Sequence, residues 1–541
     1  MFEPRTCGKE KTLFNSDIID EISKVAEIAS AFMTSESNNA IVLSGCGTSG
    51  RLAFMTARSF NQVVPGQKFS YTIAGGDKAL FTSQEAPEDD RNAGVQDLIR
   101  VTGGKEKVLF IGISVGLSAP YVAGQLDYCM DKLDKYTPVL VGFNPVNLAR
   151  NIPIHGWEKT FRDVATRLEK MTSQGKTFLI NPVVGGEAIT GSSRMKGGSV
   201  TIVILQTIFT MALSASVTSS NDSMTSSEMC KAMLETYQKT CQLFYASASS
   251  ALSSMITNAS ESFKQESSIY NVGSDGSAVM GIIDATECPP TYGATLDDIR
   301  GFILGGYDEF NNAEGDIRCM GEHFKIGSKD LAELLKSRGH KYKDTIIVLI
   351  MASSVNVFVE ISGLFERSEK ELALPTYLTD VFVISMDLSE VKSSVASLLT
   401  PSGIKRHIDS LIEICSKWIF NAISTGAHIC IGKVLHNYMV DLKVSNRKLF
   451  HRSIGIIQRF CPTLSETEAT DYLLQSIYGT DDVELVKNNS IQQHIQQATP
   501  QDRVVPTAIV MGSKRCLYAH ACQLLSNHHV IREALSSIVT S

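Results

Sequence analysis

The sequence predicts an α/β protein: two tandem doubly wound parallel sheets, each a flavodoxin-like αβα sandwich, followed by an all-helical C-terminal domain. Apolar strand-like runs alternate with helical segments between residues 40 and 180, the pattern of a parallel sheet covered on both faces. A weaker copy of that pattern begins near residue 268, and from about residue 416 the strand signal stops. At 541 residues the chain also exceeds what a single hydrophobic core sustains.

Taken in order, DIIDEISKVAEIASAFM (17–33) has apolar residues at helical spacing. IVL, SGCGTSG and RLAFMTARSFN then read as strand, Gly-rich loop and helix. FSYTIAGG is a second strand, KVLFIGI a third that enters the loop SVGLS and the helix APYVAGQLDYCM, and TPVLVGF and TFLIN are two more. SVTIVILQTIFTMALSASV (199–217) carries no charge, but Ser, Thr and Gln interrupt it throughout, so it reads as a buried core helix and not a membrane span. SVTSSNDSMTS (216–226) is small and polar and reads as a linker. IYNVGSDGSAVMGIIDATEC and DTIIVLIMASSVNVFVEISGLF echo the earlier strand–loop–helix units, which points to a duplicated domain. SKWIFNAISTGAHICIGKVLHNYMVDLKVSNRKLFHRSIGIIQRF is almost continuously helix-compatible. The expected boundaries are an N-terminal helical segment 1–28, a first α/β domain 29–220, a helical connection 221–254, a second α/β domain 255–425 and a helical domain 426–541.

A net charge of -7 and the lack of a basic run exclude a nucleic-acid surface, which needs clustered Lys and Arg. The 12 cysteines are scattered with no C-x-x-C and no His pair at ligand spacing, so they read as reduced thiols, with neither disulfides nor a metal. MFEPRTCGKEKTLFN lacks an apolar core and reads as neither signal nor transit sequence.

GCGTSG matches G-x-G-x-x-G, and a Gly-rich turn feeding a helix offers unpaired amides to any anion. Asp77 could serve the ribose of a dinucleotide. Thr48 and Ser49 in this loop, with Ser114 and Ser118 in the next, favour a phosphate monoester surrounded by short donors; no G-K-[ST] follows, which excludes a Walker A loop. NPVVGGEAITGSSRMKGGS (181–199) either closes over the anion with Ser192, Ser193, Arg194 and Lys196 or caps the following helix. QEAPEDD, with Glu85, Glu88, Asp89 and Asp90, is either a solvated acidic turn or a source of sugar-hydroxyl ligands and a general base. His428 and His451 read as structural.

LSGCGTSGRLAF, YTIAGGDKALF, GISVGLSAPYVAGQ, LVGFNPVNLARN, GSSRMKGGS and STGAHICIGKVLHNYMVDLKVSNRKLF stand in an order that resembles the sugar isomerase (SIS) domain family, in its tandem-domain branch of glucokinase regulatory proteins. The single-domain relative is N-acetylmuramic acid 6-phosphate etherase. The resemblance implies a helical lid over two SIS domains and a site for fructose 6-phosphate or fructose 1-phosphate, with no cofactor. It assigns Gly47, Thr48 and Ser49, Ser114, Gly116 and Ser118, and Ser192 and Ser193 to the phosphate, Glu88 and Glu287 to the sugar, and Lys448 to the phosphate from the lid. It implies a monomeric, cytoplasmic and nuclear sensor that inhibits glucokinase and has no catalytic residue. The etherase-like alternative is a carbon–oxygen lyase with Glu85 as its acid/base. One departure is the segment LLTPSGIKRHIDSLIEIC, which lacks the aromatic, leucine-rich stretch the resemblance places against glucokinase.

Overall fold

The computed structural model describes residues 2, 11–84, 86–218, 224–338, 344–348, 351–352, 384–385, 389–528 and 530–540. Helix α1 (Ser16–Thr34) is started by Asn15, whose side chain accepts from the Asp17 amide. The first sheet follows, with β1 (Ala40–Gly45), α2 (Gly47–Asn61), β2 (Phe69–Ile73), α3 (Arg91–Val101), β3 (Val108–Ile113), α4 (Pro120–Met130), β4 (Tyr136–Val141), α5 (Phe161–Thr172) and β5 (Phe178–Ile180). Its strands are parallel in the order β2-β1-β3-β4-β5. Every residue of β1 and β3 is buried, as continuous apolar runs in a doubly covered sheet require. Ile41 and Leu43 point into the core shared with the rest of the molecule, while Ala40 and Val42 join the core under α3, α4 and α5.

The uncharged run is α6 (Lys196–Thr218), and 89% of its most apolar stretch is buried inside the fold. It packs against α1, α2 and the later long helices, so its apolar surface is spent on protein. The polar linker expected at 216–226 lies partly outside the described residues. α7 (Ser226–Lys264) leads into β6 (Ile269–Gly273), α8 (Asp275–Tyr292), β7 (Ile299–Ile303), the short α9 (Gly306–Phe310), α10 (Ser328–Arg338) and β8 (Thr345–Val348). The described strands are parallel in the order β7-β6-β8, repeating β2-β1-β3 of the first sheet. The hydroxyl loop and helix expected after IIVLIM lie outside the described residues.

After α11 (Ser389–Val395), the 30-residue α12 (Pro401–Cys430) crosses from the second sheet to the C-terminal helices, packing on α6, α7 and α8. The remaining helices are α13 (Arg447–Phe460), α14 (Glu466–Tyr478), α15 (Ile491–Ala498), α16 (Val504–Lys514), α17 (Tyr518–Ser526) and α18 (Ile531–Thr540). The continuous helix expected after residue 416 is broken: Gly432 at φ +79° ends α12, and Val434–Leu435 pairs with Tyr438–Met439 in a small antiparallel hairpin. Three expected boundaries, 28/29, 254/255 and 425/426, fall inside α1, α7 and α12, because these helices bridge the units they connect.

Candidate functional site

α2 starts directly from the end of β1. Its N-cap residue, Cys46, makes no side-chain capping bond, so the first-turn amides remain available to an anion. Gly47 sits at φ +49°, the left-handed region that lets the chain turn from strand to helix in one residue. The neighbouring strand β3 enters a second tight loop with Leu117 at φ +50°. Ser114 Oγ accepts from the amides of Ser118 (3.1 Å) and Ala119 (3.4 Å), and Asn144 donates to the Gly116 carbonyl (3.1 Å). Both loops leave the carboxyl ends of adjacent strands where the strand order reverses, the place where doubly wound sheets open a crevice.

That crevice is a cavity of about 580 Å³. Gly47, Thr48, Ser49 and Glu88 form one wall, and Ser114, Gly116 and Ser118 another. Ser193 joins them from the loop before α6, Glu287 from α8 of the second unit and Lys448 from α13 of the helical unit. Ser192 is buried and does not reach the wall. Glu85 lies outside the described residues.

The three units meet at Gly47. A Cβ there would stand 3.1 Å from Glu88 Oε1, a tight contact, and 3.7 Å from Glu287 Oε1, so a side chain at this left-handed position would press on the Glu88 carboxylate. Lys448 Nζ donates to Glu88 Oε2 at 3.2 Å, bringing the helical unit to the first. Arg51, 1% exposed, donates to Glu287 through Nη1 and to the Ala79 carbonyl through Nε at 2.8 Å, bringing the second unit to the first.

Asp89 of the acidic turn and His451 also line the wall, together with three residues to which the sequence assigned no role, Arg150, Glu187 and Arg452. Glu187 accepts the Lys196 and Gly197 amides, each at 2.8 Å, and so caps α6. Arg194 does not face the cavity. It is buried and donates to Asp284 of α8 at 2.6 Å, an oxygen shared with Asn421 (2.7 Å) and Ser424 (3.1 Å). Asp77 is spent on Tyr71 (2.6 Å), Asn312 (2.7 Å) and the Glu314 amide (2.6 Å), away from the wall, so the dinucleotide reading loses its ribose carboxylate. His428 is buried and stacks on Tyr292 with ring centroids 4.3 Å apart. His451 differs from the sequence expectation, because it lies on the cavity wall. Burial raises the Asp89 carboxyl against the pull of Arg447 and Arg150, and burial plus the same two arginines lowers the His451 imidazole.

The duplicated unit repeats this backbone geometry with its helix start covered. Asp275 occupies the position of Gly47, also at φ +49°, and its amide donates to Glu309 Oε1 while Gly305 donates to Oε2 at 2.7 Å. A carboxylate therefore covers the start of α8 where the first unit leaves amides open. Hydroxyls, helix amides and an ammonium suit a phosphate, and two flanking carboxylates suit sugar hydroxyls.

Comparison with known proteins finds three family models that match in succession along the chain. Residues 24–130 match the model of the glucokinase regulatory protein N-terminal SIS domain, 246–431 its second SIS domain and 436–535 its C-terminal lid domain. The chain is 36% identical over 535 residues to the glucokinase regulatory protein of Xenopus laevis, covering 97% of this chain and 86% of that one. It is 33% identical over 548 residues to the Homo sapiens protein, covering 99% and 86%. The N-acetylmuramic acid 6-phosphate etherase of Clostridium acetobutylicum is 28% identical over 269 residues, 47% of this chain and 81% of the etherase.

Proposed function

This chain belongs to the glucokinase regulatory protein family, and from that premise we propose that it is a sugar-phosphate sensor that inhibits glucokinase. Fructose 6-phosphate promotes the inhibitory shape and fructose 1-phosphate relieves it. A monomer acts in the cytoplasm and nucleus, with Gly47, Thr48, Ser49, Ser114, Gly116, Ser118, Ser193 and Lys448 around the phosphate and Glu88 and Glu287 on the sugar. The observation that carries this reading is the meeting of all three units at Gly47. A ligand seated there touches each unit, so two ligands that seat differently hold different arrangements of the lid. Ligands shift such a balance only by their difference in affinity for its two states.

Calorimetric titration of the full chain with each fructose phosphate gives saturable binding that Ser114→Ala weakens about tenfold. Inhibition of glucokinase rises with fructose 6-phosphate and falls with fructose 1-phosphate. Binding of NAD without either sugar phosphate overturns the proposal. The 269-residue likeness to the etherase supports a second reading, a lyase using Glu85. Release of D-lactate from N-acetylmuramic acid 6-phosphate, abolished by Glu85→Gln, would establish that reading over the sensor alone.

A further inference from the structure

Behind the cavity wall lies a buried lysine that the sugar-phosphate site does not use. Lys417, in the middle of α12, is 3% exposed. Its Nζ donates to the Met195 carbonyl (3.0 Å), Ser199 Oγ (3.2 Å) and Asn421 Oδ1 (2.8 Å), all neutral acceptors. Among the described residues no carboxylate pairs with it. A Cβ on Gly198 would stand 3.1 Å from Lys417 Cε and 3.5 Å from Thr48 Cγ2, so the lysine and the first phosphate loop meet across one glycine. Ser193, on the cavity wall, belongs to the same turn, and its carbonyl accepts the Gly198 amide at 2.9 Å. The charged groups that face Lys417 are Arg194 and Glu187 from the segment before α6 and Asp284 and Glu287 from α8. Asp284 is engaged by Arg194, Glu187 by the amides that start α6 and Glu287 by Arg51. On α12 itself Glu413, one turn earlier, is paired with Arg406. Burial, aided by Arg194, lowers the Lys417 pKa to about 7 against the pull of Asp284, Glu187 and Glu287.

A buried ammonium without a carboxylate partner is costly, and the cost falls when an anion comes near. A phosphate held by Thr48, Ser49 and Ser193 is such an anion, placed one residue away from the lysine. We propose that Lys417 is a positioning residue of the phosphate site: its ammonium fixes the turn that carries Ser193 and balances the bound phosphate, so that the sugar phosphate and a proton bind together. The inference rests on the sugar-phosphate reading and adds a proton to its binding reaction. Above about pH 7 the lysine of the free chain is partly neutral, and the arriving dianion favours its charged form. Binding therefore takes up a proton from solvent, and affinity falls as the pH rises further.

The test is calorimetry of the full chain with fructose 1-phosphate and fructose 6-phosphate at about pH 7.5, in two buffers of different ionisation heat, which counts the protons exchanged on binding. The native chain is expected to take up about half a proton per ligand. The phosphate itself contributes in the opposite sense, since with a second pKa of about 6 it has only protons to lose. In Lys417→Met, shown to be folded by its thermal melt, the uptake disappears and the affinity no longer falls between about pH 7 and 8.5. Lys417→Gln, which keeps a donor for the Met195 carbonyl, behaves alike. A lysine that only braced the turn would weaken binding in these variants without changing the proton count. His451 is the competing proton acceptor on the wall, so the uptake is expected to persist in His451→Gln. Saturable binding by the native chain without proton uptake overturns the proposal, as does uptake that survives in a folded Lys417 variant or vanishes in His451→Gln. The first and last of these outcomes decide the matter even if neither Lys417 variant folds. The sugar-phosphate reading stands in each of these cases, whereas absence of binding by both sugar phosphates overturns it together with the proposal.

Discussion

Arg51 is the side chain through which the first α/β unit holds a residue of the second at the cavity. Its guanidinium is buried, and its partner Glu287 retains 15% side-chain exposure on the ligand side. Removing one member of such a pair leaves the other charged and uncompensated, at a cost of about 3 kcal/mol. Arg51→Met is therefore expected to lower stability by that order in urea unfolding and to weaken fructose 1-phosphate binding, while Arg51→Lys recovers part of both. An unchanged affinity in a folded Arg51→Met protein would remove Glu287 from the sugar. Lys448 is the complementary case: Lys448→Met should weaken binding about tenfold and flatten its salt dependence, since the lost contact is a charge-assisted one. The sequence displayed Lys448, Thr48 and Ser114 inside motifs, but not the task of Arg51, whose partner is 236 residues away. Arg150 and Glu187 were silent for the same reason: their roles come from what folds against them, not from their neighbours in the chain.

At the level of elements, the strand–loop–helix units were legible because burial on both faces leaves uninterrupted apolar runs, and the loops between them are rich in glycine and hydroxyl residues. The hairpin at 434–439 was not, because VL and YM are too short to show a strand period and sit among residues that favour helix. Three of the expected boundaries fall inside helices because apolar periodicity runs unbroken through α1, α7 and α12. The paired loops give a reciprocal prediction. Gly47→Ala forces a side chain into the left-handed region and against Glu88, which should cost about 1–2 kcal/mol and abolish ligand binding with the fold retained. Asp275→Gly relieves the same backbone strain in the second unit, where the Asp275 side chain is 78% exposed, and should raise stability by up to about 1 kcal/mol. Chemical denaturation of the two variants reads both signs. A second phosphate-binding event in Asp275→Gly would show that the strained residue, and not the Glu309 carboxylate, keeps that loop closed.

Across the whole molecule, α12 is the strut that joins both sheets to the helical unit, and it carries two buried histidines. His407 Nε2 bonds Thr236 of α7 at 2.7 Å, and His428 Nδ1 bonds its own helix at Ser424 while its ring stacks on Tyr292 of α8. The guanidiniums of Arg406 and Arg194 and the ammonium of Lys433 also oppose imidazolium formation, and burial is the main cause that holds each ring near a pKa of about 3. Unfolded, each would titrate near 6.5. Above that value both states are neutral and the histidines contribute no pH dependence. As the pH falls from 6.5 toward 3 the unfolded chain takes up protons that the native chain refuses, so stability is lost by up to about 1.4 kcal/mol per pH unit for each ring. Glu413 and Asp441, raised by burial, act in the opposite sense, so the total slope alone does not identify the histidines. The comparison that does is between the native chain and His407→Gln with His428→Asn, which keep a hydrogen-bonding amide in each place and cannot ionise. Urea midpoints measured from pH 7.5 to 5 should fall less steeply in the variant, so that it gains on the native chain as the pH drops. Parallel curves would mean that both rings already accept protons in the folded protein, and that α12 is wetter than its packing indicates.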